Sequence, residues 1–392
     1  MKADLCASIL AFLVATCFDG RGTSIYVTSF SCSSNCRSLP FSLRRTLVYR
    51  SKRTEMATAV GGSDSLTSLP RGISVYEKSL SKSVDVQAAI RSLAKGALGS
   101  ASRDGLKLME LEFPPLVGGD ESKSQFDDFD NIQELDRNKN WVIQFAPTIP
   151  SDLLGEANDR SKLWLIFPDL KECEIARIEW QGARYKESTY TTIEEATNFL
   201  GRSGGGGSKY DAPWGANLVG GLSKLLGGEK GDAGLLGDQS AVDSLTEIPS
   251  MNLFIQPGNG GPVEDWINCE KIYDSSPNTA QVVVNGALDK LRGGYYPAVF
   301  FPKLAASVDR YFKKFQSVLY LKPLTDKGAY GWLFRVYPEP WQVILQYANI
   351  DDKDSISVEN IVISVSETRP DYNKAVAMLV AADAERDAKK NK

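Results

Sequence analysis

The sequence predicts an α/β fold: a mixed, partly parallel sheet with flanking helices and a C-terminal antiparallel meander. Three observations point to it. The nearly continuous apolar text of "SKLWLIFPD" reads as a strand covered on both faces, and the β-branched run "AQVVVNGAL" as a central strand. Between such runs lie segments with apolar residues at helical spacing, and that alternation is the habit of α/β domains. Toward the C-terminus, "SVLYLKPL", "GWLFRVYP" and "WQVILQY" follow one another with only turn residues between them.

The first 54 residues stand apart from this pattern. Eight Lys or Arg there face two acids, Asp4 and Asp19. "LCASILAFLVATCF" has about the length of a signal-peptide apolar region and is too short to span a bilayer comfortably. "SFSCSSNCRSLPFSLRRTLVYRSKR" is rich in Ser and Arg and free of acids, which is transit-peptide composition. Residues 1–54 therefore read as a targeting leader, either a plastid transit peptide or a bipartite signal and transit segment. The bland alternative is a basic tail with no address. The mature chain is expected to begin between Ser51 and Ser74. Without the leader, 37 basic residues face 47 acidic ones, a net charge of −10. Such a chain is poorly suited to nucleic acid, which is gripped through Lys and Arg. No apolar run is long enough for a transmembrane span.

Residues 75–200 read as the first half of one α/β domain. Val86, Ala89, Ile90, Leu93 and Ala97 mark a helix that ends at Gly99. "GLKLMELEFPP" is a strand stopped by Pro114, and "DESKSQFDDFDNIQEL" an acidic helix or solvated loop. "NWVIQFAP" and "SKLWLIFPD" are short apolar runs closed by proline, the second a buried strand. "IARIEW" is a further strand candidate, and "TIEEATNFL" a short helix with Thr192 as its cap.

Residues 201–240 are too glycine-rich for a regular element and read as a linker or loop, with "WGANLVGGLSKLL" as an apolar run inside it. No window there matches G-x-x-x-x-G-K-[ST], and "GNGGPVED" places Val263 where a dinucleotide fingerprint needs its third glycine. Residues 250–390 read as the second half of the same domain, ending in a helix. "MNLFIQPG" is a strand, "PVEDWINCEKIYD" a helix opened by Pro262, and "AQVVVNGAL" the most β-branched run and a central strand. "FPKLAASVDRYFKKF" is an amphipathic helix with Leu304, Val308, Tyr311, Phe312 and Phe315 on one face.

In the meander, "TDKGAYG" and "PEP" supply the turns. Trp332, Phe334 and Val336 alternate with Leu333, Arg335 and Tyr337, and Trp341, Val343, Leu345 and Tyr347 alternate with Gln342, Ile344 and Gln346. The aromatic face is expected to be buried, with Trp341 in the core. Arg335 is expected to pair with a carboxylate or stack on a ring, its functional alternative being a grip on an anionic ligand or partner group.

The sequence contains no histidine. That removes histidine-based nucleophile activation, histidine zinc sites and histidine acid–base chemistry in one step. Outside the leader only Cys173 and Cys269 remain, read as two separate thiols unless the fold brings them within disulfide reach. No cofactor motif and no metal motif is present. Two other residues are low-ranked ligand candidates. Asp169 ends a strand where α/β folds place binding groups, although a helix cap is the commoner role, and Asn285 follows the central strand.

"VVVNGALD", "YFKKFQSVLYLKPL" and "GWLFRVYPEPWQV" resemble the C-terminal half of a plastid family of unknown domain function that includes the low photosystem II accumulation type of assembly factor. "AAIRSLAKGALGSASRDGLKLMELEFPPL" and "LWLIFPD" are similar to its N-terminal half. The resemblance covers about residues 78–347, with the glycine-rich segment as a departure. It implies a non-enzymatic plastid protein of the stroma or thylakoid surface. Its partner would be a photosystem II subunit or thylakoid assembly factor, with peripheral membrane contact. Related domains are fused to adenylate kinases, so a small-molecule or nucleotide-binding protein with a metabolic role stands as the alternative. The resemblance supplies no catalytic residues.

Overall fold

In the computed structural model the described residues are 13–19, 22–28, 66–70, 72–75, 84–114, 128–155, 159–203, 209–212, 245–258, 263–350 and 356–390. The chain forms two units, Met1–Gly61 and Gly62–Lys392. In the first, β1 (Leu13–Asp19) and β2 (Gly22–Thr28) pair as an antiparallel hairpin, so the end of the apolar leader run is strand. The expected start of the mature chain lies largely outside the described residues.

The second unit is built on one sheet. Its strands are β3 (Leu108–Glu112), β4 (Leu163–Phe167), β5 (Thr189–Thr192), β6 (Met251–Ile255), β7 (Ala280–Val284), β8 (Gln316–Asp326), β9 (Ala329–Val336), β10 (Trp341–Ile350) and β11 (Ile356–Ser366). They lie in the order β11-β10-β9-β8-β3-β7-β6-β4-β5. From β8 through β5 every neighbouring pair is parallel, and from β8 to β11 every pair is antiparallel. The α/β class, the mixed sheet and the C-terminal meander are as the sequence predicts. The meander has a fourth strand, β11, that the sequence reading does not contain.

Helices cover both faces of the parallel half. On one lie α1 (Val84–Arg103), α2 (Asp128–Phe145) and α3 (Leu170–Glu179), whose Ile90, Trp141, Phe145 and Cys173 share a core with Leu165, Leu253 and Val282. On the other lie α4 (Ile193–Ser203), α5 (Glu264–Ser275), α6 (Leu288–Arg292) and α7 (Pro302–Arg310), packed on Trp164, Ile166, Phe254 and Val283. Because β4, β6 and β7 are covered on both sides, all their residues are buried, and all but Asn252 and Gln281 are apolar. The two free thiols, Cys173 and Cys269, belong to these opposite layers, which is why they do not pair. A third core, under α8 (Tyr372–Lys390), buries Tyr320, Leu333, Trp341, Val343 and Leu345. β8, β9 and β10 are thus buried on both faces rather than one. α8 sits close enough that a Cβ on Gly331 would collide with Leu379 and with the Ile344 carbonyl.

Several sequence expectations are corrected. α1 runs through Gly99, which is buried, and ends before Gly105 (φ 78°), where a left-handed residue lets the Leu106 amide donate to the Ala101 carbonyl. "NWVIQF" is the last part of α2, not a separate run. "IARIEW" lies in α3 and its C-cap, not in a strand, since Cys173 and Ala176 bury three apart while Ile178 is 73% exposed. Gly201 to Ser203 complete α4, so the glycine-rich segment begins later than residue 201. Residues 209–212 return to the domain, the Asp211 amide donating to Asn268 Oδ1 at 2.9 Å. The "WGANLVGGLSKLL" run lies outside the described residues. Thr192 and Glu195 form a reciprocal capping box on α4, each side chain accepting from the other's backbone N–H at 3.1 Å. The β8–β9 turn is the two-residue Lys327–Gly328 loop, both at positive φ, as tight hairpins require.

Ahead of α1 the chain lies along the meander as a strap. Leu69 and Ile73 are buried, the Thr67 amide and hydroxyl donate to Glu339, and Gln342 and Gln346 donate to the Thr67 and Ile73 carbonyls.

Candidate functional site

The parallel strands point one way, so their C-terminal ends share a rim. The chain leaves β3 toward α2 on one face and leaves adjacent β7 toward α6 and α7 on the other. β4 and β6 diverge in the same manner, toward α3 and α5. Such reversals open crevices at strand ends, and α/β folds bind ligands there.

At the β3/β7 crevice the backbone is held in an uncommon conformation. Gln256, Asn285 and Ala287 have φ of 44°, 50° and 48°, a region non-glycine residues seldom adopt and which clusters at functional sites. Three buried amides run in series. Asn285 Oδ1 accepts from the Phe113 amide at 2.9 Å, and its Nδ2 donates to Asn138 Oδ1 at 2.9 Å. Asn138 Nδ2 then donates to Gln256 Oε1 at 2.6 Å. The series ties α2 to the ends of β3, β6 and β7. Asn285 is therefore engaged on both of its polar atoms, and these contacts are internal to the protein.

Carboxylates gather beside it. Glu110 is buried and accepts from Arg292 Nη1 at 2.9 Å and Ser317 Oγ at 2.6 Å. Asp289 is gripped by both Nη atoms of Arg369 at 2.7 Å and by Lys322 Nζ at 3.1 Å. Glu112 is half-buried and accepts from the Ala287 amide at 3.2 Å. Burial, then the charges of Glu110 and Asp289, push its pKa up to about 8, against the opposing pull of the Ala287 N–H and Lys322. At the β4/β6 crevice, buried Asp265 is raised to about 7 by burial and then by Glu264 and Asp169.

A pH dependence follows from Glu112. Its unfolded carboxyl titrates near ~4.3. Between there and about 8 the native state keeps a proton that the unfolded chain has released. The stability is fully present below ~4.3 and is lost as pH rises through about 8, at no more than ~1.4 kcal/mol per pH unit. Solvent reaching the half-buried carboxylate moderates the slope. Glu112→Gln is expected to flatten the fall of melting temperature between pH 5 and 8. Identical slopes in the variant and the parent would show that Glu112 ionises freely in the fold.

The candidates read from the sequence do not converge on one site. Asp169 is exposed and caps α3, accepting from the Glu172 amide at 2.9 Å. Asn285 belongs to the amide series one crevice away. Arg335 lies in the meander, where it donates to the Glu339 and Ser317 carbonyls, both at 3.2 Å, rather than to a carboxylate. Its guanidinium lies 5.2 Å from the Trp341 ring centroid, so the stacking expectation describes it.

One feature escaped the sequence reading. "GGYYPAVFF", between α6 and α7, displays Tyr295 (68% exposed), Val299 (88%) and Phe300 (75%). Their neighbours Tyr296 and Phe301 face inward against the core. The amides of Phe300 and Phe301 both donate to the Pro297 carbonyl at 3.0 Å, and the Tyr295 amide donates to the Lys290 carbonyl. The turn is thus a pre-shaped apolar prong. Its signal was the aromatic density between paired glycines and Pro302, a composition that solvated loops lack.

Residues 85–377 match the model of a family described as a domain of unknown function (DUF1995). No curated protein and no solved structure matches the chain.

Proposed function

The chain belongs to the DUF1995 family, a domain of unknown function, and from that premise we propose that it is a non-enzymatic plastid protein that assists the assembly or accumulation of photosystem II. The observation that carries this reading is the apolar prong of Tyr295, Val299 and Phe300. Large exposed apolar groups that are held rigidly mark surfaces that meet partners. The candidate polar groups Asn285 and Asp169 are engaged within the protein instead of converging on a ligand. The leader composition and the family resemblance support a compartment and a partner for this reading: the plastid stroma or the thylakoid surface, and a photosystem II subunit or thylakoid assembly factor. Among the described residues no helix is long and apolar enough to cross a membrane, so contact with the thylakoid would be peripheral.

The test compares the mature protein with a Val299→Asp/Phe300→Asp variant, each recovered by affinity tag from detergent-solubilised plastid membranes. Photosystem II subunits are expected with the parent and reduced at least tenfold with the variant, as for loss of an interface hot spot. Unchanged melting temperature shows that the fold is intact. Equal recovery with both proteins, absence of photosystem II subunits, or equal binding of the parent to protein-free liposomes would each end this reading.

A second reading, a small-molecule or nucleotide-binding protein with a metabolic role, is favoured by one observation. Glu112, with its raised pKa, stands among left-handed residues at a strand-end crevice. Saturable stabilisation by a nucleotide that Glu112→Gln removes would favour it over the first.

A further inference from the structure

A cleft of about 270 Å3 opens where the end of α3 meets the start of β5. Arg177 and Trp180 reach it from the helix, Tyr185 and Lys186 from the intervening turn, and Ser188 and Tyr190 from the strand's entry. It shares no residue with the prong or with the strand-end crevices.

Three properties set it apart from an ordinary surface dent. The first is charge. Lys186 is exposed and, among the described residues, has no ion-pair partner, while Arg177 stands 3.9 Å from Glu195 and donates to the Tyr190 carbonyl at 2.7 Å. Two cations therefore face one cleft on a chain that is otherwise strongly acidic. The second is shape. Trp180 and Tyr185 meet edge to face, ring centroids 4.8 Å apart at 75°, which makes a corner offering one ring face and one ring edge. Trp180 is fixed there by its Nε1–H, which donates to Asn140 Oδ1 at 3.0 Å. The third is an unmet donor. The Tyr190 hydroxyl is buried and finds no hydrogen-bond partner in the protein. Burial, with Cys173 and Tyr185 nearby, pushes its pKa up to about 12, so at neutral pH it holds its proton. Buried polar groups in folded proteins are nearly always satisfied, and those that are not call for a ligand or water.

We propose that this cleft binds a small planar carboxylate. The carboxylate lies in the field of Lys186 and Arg177 with the ring in the Trp180–Tyr185 corner, and a small shift of the cleft wall brings the buried Tyr190 hydroxyl within reach of it. The size agrees, because the cleft lies just under the roughly 300–1,000 Å3 of drug-sized pockets and so fits a molecule of one or two rings. A phosphate monoester fits less well. Its three anionic oxygens need more donors than one lysine, one hydroxyl and an arginine already engaged with a carbonyl supply.

The test titrates the mature protein with indole-3-carboxylate, its neutral carboxamide and inorganic phosphate, by calorimetry at low salt. The carboxylate is expected to bind saturably, with the carboxamide and phosphate at least tenfold weaker. Tyr190→Phe and Lys186→Gln are each expected to weaken the carboxylate about tenfold. Both changes leave the hydrocarbon packing in place, so the melting temperature of the unliganded variants should match the parent. Carboxylate binding that neither variant alters, equal binding of the carboxamide, preference for phosphate, or no saturable binding of any probe overturns the proposal. The prong variant retains this cleft, so failure here and failure of the docking reading are separate results.

Discussion

Replacing Trp341 by alanine is expected to remove about 3 to 5 kcal/mol of stability, the largest effect of any single substitution considered. Trp341 is 4% exposed and opens β10 beneath α8. Its ring packs against Tyr320 with centroids 5.2 Å apart, and the guanidinium groups of Arg335 and Arg369 each lie 5.2 Å from it. Truncation therefore empties a space that Val343, Leu345 and Leu333 cannot fill, and it removes one of the two rings that each half-buried guanidinium lies against. Domains hold only ~5 to 15 kcal/mol in total, so a large fall in urea midpoint and a low soluble yield are expected. Trp341→Phe retains a ring against Tyr320 and should recover most of the loss. An alanine variant with an unchanged midpoint would mean that the third core unfolds separately from the rest.

The second large effect is expected at Asp289. This carboxylate joins α6, β8 and the loop before α8 through Arg369, Lys322 and Tyr320. Burial alone would raise its pKa, but the Arg369 and Tyr320 hydrogen bonds and the Lys322 charge overcome burial and hold it well below the usual carboxylate range. Its stabilisation is thus complete at neutral pH and is lost only on acidification below about 4. Asp289→Asn should cost about 3 kcal/mol at pH 7, the low end for breaking a buried pair because the group keeps some solvent contact. Pairing it with Arg369→Gln should cost clearly less than the sum of the two single changes. Additive losses, or a single loss under about 1 kcal/mol, would demote the cluster to a surface ion pair.

Where burial was complete, the fold was legible in the sequence. "LWLIF" is apolar throughout, and "AQVVV" is so except for Gln281, because α3 or α2 covers one face and α4 or α5 the other. "IARIEW" was misread because six residues fit either period. The deciding cue was Asp169, whose cap starts a helix in which Cys173 and Ala176 share a face. "NWVIQF" would have read as helix had it been joined to the acidic run before it, since Asn138, Trp141, Val142 and Phe145 recur at helical spacing. β11 gave no clear signal because an edge strand exposes both faces: Val358, Ile361, Val362 and Val365 are all at least 37% exposed. The polar site was the least legible. Asn138, Gln256 and Asn285 come together from three distant segments, and a buried amide leaves no periodic trace. Only the Asn285–Gly286 pair, which suggests a turn, marked the place.

The place of β3 in the sheet governs when this protein can fold. Leu108–Glu112 is the first strand of the sheet to be synthesised, yet its two neighbours are β7 and β8, which begin at Ala280 and Gln316. No partner lies nearby in sequence, so nucleation at the sheet's centre waits for the closure of a very long loop. While the chain emerges from a ribosome, or is threaded N-terminus first through a membrane pore, β3 has neither neighbour until Val284 has followed and lacks the second until Tyr320 has. A nascent chain of this topology can pair β4, β5 and β6 early but cannot close the centre of its sheet for most of its length. For that interval the bare edges of β3 are open to pairing with other chains, which is how partly made proteins aggregate.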